Sequence, residues 1–77
     1  MLTLTIYTKP DCPLCEHAEA EFRANFPRIA VRKVDISNQQ ELLTRYAEKV
    51  PVFFWGGSEI GHWRLPLAKL RNLLGSG

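Results

Sequence analysis

Five prolines, at positions 10, 13, 27, 51 and 66, cut the chain into short segments. Proline fixes φ and carries no main-chain N–H, so each one marks an edge or an opening rather than the interior of a helix or central strand. Between them the apolar pattern changes period. Leu2-Thr3-Leu4-Thr5-Ile6-Tyr7 alternates apolar with polar or amphipathic residues and reads as a strand. Thr8-Lys9-Pro10-Asp11 is a turn-rich exit, and Pro13 suits the first position of a helix, where its missing donor is no loss. Cys15, Ala18, Phe22 and Phe26 then recur at helical spacing, with Glu16, Glu19, Glu21 and Arg23 between them. Pro27 ends that amphipathic helix.

Ile29 to Ile36 reads as a second strand, whose alternation slips near Arg32-Lys33 and leaves its inward face unassigned. Ser37 and Gln40 have the spacing of a capping box. Leu43, Tyr46, Ala47 and Val50 line one face of the helix expected next, and Pro51 closes it. Val52-Phe53-Phe54-Trp55 is short, apolar and β-prone; Gly56-Gly57 is a two-residue hairpin signal, with Ser58 to Gly61 as the return strand. Pro66 opens a last helix with Leu67, Leu70 and Leu74 on one face, followed by a Gly75-Ser76-Gly77 tail.

The order is βαβαββα. Strands alternating with helices imply a parallel βαβ unit with a right-handed crossover. The Gly-Gly hairpin adds an antiparallel pair, giving an α/β fold with a four-stranded mixed sheet flanked by three helices. No repeat or linker divides residues 1–77, so one domain is expected. A chain of 77 residues buries only about 60% of its unfolded surface, yet four Phe, two Trp and two Tyr supply a modest core. The net charge of +2 is spread without a basic stripe, which argues against a nucleic-acid partner. No run reaches the roughly 20 apolar residues of a membrane span, and the N-terminus has no leader pattern. A cytoplasmic monomer is the expectation.

In that compartment a Cys-x-x-Cys pair is redox-active or metal-binding more often than a permanent staple. The two cysteines, Cys12 and Cys15, fall where the first strand meets the first helix. A helix N-terminus presents unpaired N–H groups and a positive dipole end, and both stabilise a thiolate. Lys9 adds positive potential, while the adjacent Asp11 opposes it. Cys15, three residues on, shares the helical face and lies one turn deeper. Cys12 is therefore the candidate attacking thiol and Cys15 the resolving thiol. Leu14 is expected to face solvent at the helix tip, where it can touch a partner. A closed zinc site needs four ligands. His17 points to another helix face and reads as a surface residue, and His62 reads as a loop residue. No metal or other cofactor is called for. The alternative is a binding module in which Cys12 holds a metal or an iron–sulfur cluster shared between two chains.

Thr8-Lys9-Pro10-Asp11-Cys12-Pro13-Leu14-Cys15 resembles the active-site segment of the glutaredoxins and glutaredoxin-like proteins, with Leu14 in place of their usual aromatic residue. Val34-Asp35-Ile36, Lys49-Val50-Pro51, Gly56-Gly57 and Ile60-Gly61 resemble later landmarks of the same family, in the same order. The resemblance implies a thioredoxin-like fold and thiol–disulfide oxidoreductase activity on protein or small-molecule disulfides. It implies recycling by a thiol reductant, either thioredoxin reductase or glutathione. It also implies a cis bond before Pro51, which brings the Val50 backbone beside Cys12 to pair with an extended substrate segment. Lys9, Leu14, Val50 and Pro51 are the substrate-contact candidates. One stretch departs from the family pattern. In Ile60-Gly61-His62-Trp63-Arg64, His62 replaces a second glycine and no acidic residue follows, so glutathione dependence is expected to be weak. Trp63 is either an exposed recognition residue or a cap on the core.

Overall fold

The protein is described here by a computed structural model, which covers residues 2–74. The expected order is present. Strand β1 (Thr3–Thr8) leads into helix α1 (Pro13–Asn25), then β2 (Ala30–Asp35), a 3-10 turn (Ile36–Asn38), α2 (Gln40–Tyr46), β3 (Val52–Trp55), β4 (Ser58–His62) and α3 (Leu67–Leu74). The Gly75-Ser76-Gly77 tail lies outside the described residues. The sheet order is β2-β1-β3-β4, with β1 parallel to β2 and the other pairs antiparallel.

Alternation along β1 decides which layer forms on each face. Leu4 and Ile6 are fully buried against Ala18 and Phe22 of α1, Phe53 of β3, and Leu65 and Leu70 at α3. Tyr7 points to the opposite face, where Val52, Phe54, Ile36 and the α2 residues Leu42, Leu43 and Tyr46 gather. Tyr7, Tyr46 and Phe54 pack ring on ring there, with centroids 4.5 to 6.0 Å apart.

The slip in β2 has a simple cause. Val31 packs on the α1 side, whereas Val34 lies in the hollow shared with Tyr7 and Leu42 on the other. Lys33 faces α1 and pairs with Glu19. An edge strand with one valine for each face shows no clean period.

Two expectations are corrected around α2. Ser37 is not its N-cap. Asp35 accepts from the Ser37 N–H at 2.9 Å and from its hydroxyl at 2.6 Å, which folds Ile36–Asn38 into the 3-10 turn. Asp35 holds the Ser37 N–H, the donor that a capping-box Gln40 would need, and the 3-10 turn moves the start of α2 on to Gln40, out of reach of Ser37 as a cap. Gln39 takes the cap position without a side-chain bond, and Gln40 donates to Thr44 instead. Nor does Pro51 close the helix. α2 ends at Tyr46, and Val50 lies beyond it as a buried residue.

The hairpin turn is as expected. Gly56 and Gly57 have φ of 59° and 82°, the paired left-handed values that a tight two-residue connection demands. The return strand runs one residue further than expected, so His62 pairs with Val52 as its last member rather than lying in a loop.

Candidate active site

Cys12 is the N-cap of α1, and Pro13 occupies the opening turn. Its extended backbone (φ −113°, ψ 95°) turns the chain out of the exit from β1 and into the helix. Just before it, Asp11 adopts a left-handed φ of 56°, a conformation that Asp tolerates better than most residues. The Cys12 Sγ accepts from the Cys15 N–H at 3.2 Å, so the sulfur sits where the free N–H groups of the first turn emerge. Cys12 and Cys15 are joined as a disulfide, with Cα atoms 5.2 Å apart.

The two sulfurs differ in access, as the helical spacing predicts. Cys15 is 5% exposed and belongs to a buried cluster with Ile36, Val50 and Val52. Cys12 packs on that cluster from outside and stays partly open. Leu14, at the helix tip, is 56% exposed.

Opposite Cys12, the Val50-Pro51 bond is cis, in line with the family resemblance. Pro51 is buried, and its carbonyl accepts from the Trp63 N–H at 2.8 Å. Among the described residues, neither the N–H nor the carbonyl of Val50 has a hydrogen-bond partner.

A cleft of about 400 Å³ opens beside both cysteines, between the β1–α1 turn and β2. Lys9 lines it, as expected, but so do Asp11, Glu16, Glu19, Lys33 and Asp35. Burial pushes the Glu19 carboxyl up. Hydrogen bonds and charge from Arg23 and Lys33 outweigh that and hold it below its ordinary value. The contacts are 2.9 Å from Arg23 and 3.2 Å from Lys33. Asp35 is also held low, by the Ser37 hydroxyl and N–H. The surroundings of Cys12 thus carry more carboxylates than the local sequence around Lys9 suggests. Glu19 stands four residues after Cys15, so helical spacing could have placed it near the cleft; nothing in the sequence brings Lys33 there.

On the other flank, Leu14, His17, Trp63 and Arg64 line a groove of about 440 Å³. His17 is exposed, as read from its position. His62 packs its ring edge-on against Trp63 at 4.5 Å. Trp63 is 54% exposed and belongs to neither core cluster, which decides against a core cap. A larger hollow of about 590 Å³ lies on the α2 face between Tyr7, Arg32, Leu42 and Phe54, and neither cysteine lines it. Among the described residues no three His, Cys, Asp or Glu converge as metal ligands, and no helix is long and apolar enough to cross a membrane.

Residues 3–75 match the glutaredoxin-like domain family over nearly the whole chain. The chain belongs to that family. Solved structures share the fold. A protein from X. campestris is 31% identical, with 96% of this chain and 97% of that one covered and a TM-score of 0.73. A protein from Nitrosomonas europaea is 24% identical, with 97% and 88% covered and a TM-score of 0.77. An oxidised thioredoxin O1 from Arabidopsis thaliana is 25% identical, with 99% and 77% covered and a TM-score of 0.53. This glutaredoxin-like chain therefore has a thioredoxin-like fold, and its Cys-x-x-Cys pair at a helix N-terminus points to a redox class of chemistry.

Proposed function

We propose that the protein is a dithiol oxidoreductase that reduces protein or small-molecule disulfides, with Cys12 attacking and Cys15 resolving. The observation that carries this reading is the bonded pair itself. Both sulfurs span the first turn of α1, and only Cys12 is open to a partner.

In the reduced protein the N-terminal N–H groups favour a thiolate at Cys12. That thiolate attacks one substrate sulfur, forms a mixed disulfide and expels the other substrate sulfur as a thiolate, which takes up a proton. The Cys15 thiol loses its proton to solvent and attacks the Cys12 sulfur. The second substrate thiol leaves, and the Cys12–Cys15 disulfide remains. An external thiol reductant then returns two electrons and two protons. The free main-chain groups of Val50 support strand-like pairing with a peptide substrate beside Cys12. Substrate contacts by Lys9, Leu14 and Pro51 are part of this proposal: Lys9 lines the cleft beside both cysteines, Leu14 the groove on the other flank, and Pro51 sets the cis bond after Val50.

The test compares Cys12→Ser with Cys15→Ser in a disulfide-reduction assay. Cys12→Ser is expected to abolish turnover. Cys15→Ser should accumulate the mixed disulfide on Cys12. Full activity in Cys12→Ser would refute the assignment. Run with glutathione and its reductase against thioredoxin reductase, the same assay identifies the reductant. The bulk of His62 where the family pattern has glycine makes weak glutathione coupling the expected result.

A further inference from the structure

Trp63 follows β4 with a left-handed φ of 67°, a conformation that bulky residues rarely adopt. Burial does not explain it, because the ring is half exposed. Its two N–H groups have definite partners. The main-chain N–H donates to the Pro51 carbonyl at 2.8 Å, and the indole Nε1–H donates to the Glu48 carbonyl at 2.8 Å. These bonds land on either side of Lys49-Val50. Val50 is the residue that packs with Cys12 and keeps its own main-chain groups unpaired. A residue 15 positions along the chain from Glu48 thus closes a bracket around the segment that faces the attacking sulfur.

We propose that Trp63 is a positioning residue: its main-chain and indole N–H groups hold Glu48–Pro51 so that the Val50 backbone is presented, beside Cys12, to an extended polypeptide disulfide. The proposal rests on the dithiol reading above and deepens it. The substrate class follows from the chemistry. A peptide segment can exchange paired main-chain hydrogen bonds with Val50; a small disulfide without amide groups cannot form that strand-like pair.

Trp63→Phe keeps the aromatic ring and deletes the indole donor. Trp63→Gly also deletes the donor but relaxes the left-handed backbone, so it guards against a result due to lost folding. Each variant is assayed with insulin, a polypeptide disulfide, and with 2-hydroxyethyl disulfide. Both variants are expected to raise the KM for insulin about fivefold, the worth of roughly one hydrogen bond, with kcat little changed. Turnover of 2-hydroxyethyl disulfide should stay at the wild-type level. Amide exchange in the oxidised protein supplies a readout independent of turnover. The Lys49 N–H, bonded to the Tyr46 carbonyl at 2.8 Å, should exchange faster in both variants. An unchanged insulin KM with wild-type activity intact overturns the positioning role and leaves the dithiol reading standing. Faster exchange with unchanged KM makes Trp63 a brace only and also overturns it, as does an equal loss on both substrates. If the wild type reduces neither substrate, the dithiol reading itself falls and the positioning role falls with it.

Discussion

At the scale of single residues, position along α1 separates the roles of like groups. Cys12 and Cys15 are chemically identical, yet the N-cap leaves one partly open and the first turn buries the other. That difference was legible in the sequence, because a proline at the first helical position fixes where the helix begins. Glu19 shows what was not legible. Its i+4 spacing predicts the Arg23 contact, but the Lys33 contact depends on how β2 lies against α1. Because its two cations hold the Glu19 carboxyl below its ordinary value near 4.5, the pair contributes stability above that value and loses it as pH falls through the lowered one. Glu19→Gln is therefore expected to lower the urea midpoint at pH 7, with a smaller deficit at pH 3. A deficit of equal size at both pH values would show that charge is not its cause. Trp63 escaped the sequence for a different reason: its bonds to Glu48 and Pro51 are tertiary, and no local pattern announces them.

At the scale of elements, the prolines and the Gly-Gly pair were strong guides because each acts through its own backbone. Pro13 opens α1, Pro27 follows its end, and Gly56-Gly57 makes the turn. The region around α2 departs from its sequence pattern because two local hydrogen-bonding arrangements compete there. Ser37 fits a capping box with Gln40, but Asp35 takes both of its donors first. The hairpin gives the sharpest prediction at this scale. Gly57 sits at φ 82°, and a Cβ placed there meets nothing within 4 Å. The cost of a side chain is then conformational rather than steric crowding. Gly57→Val should destabilise the protein by about 1–2 kcal/mol, whereas Gly57→Asn should cost clearly less. Chemical denaturation of the two variants checks this, and equal stability would mean that the turn does not need its left-handed pair.

At the scale of the whole molecule, a small sheet is sealed by one large apolar layer and one aromatic layer, with the cysteines at its end. Phe22 and Phe53, in the α1–α3 layer, are the largest fully buried side chains. Phe22→Ala should cost about 3–5 kcal/mol, a large part of the roughly 5–15 kcal/mol available to a typical domain. Thermal unfolding should show that loss, and a change below about 1 kcal/mol would contradict this account of the core. The βαβαββα order and the mixed sheet followed from periodicity and hairpin chemistry, while the family match and solved relatives fixed the fold. The central claim, that Cys12 is the reactive thiol, is tested most directly by alkylating the fully reduced protein at pH 7 with substoichiometric iodoacetamide and mapping the label. Label is expected on Cys12 with Cys15 nearly untouched; label shared equally, or found first on Cys15, would rule out Cys12 as the attacking thiol.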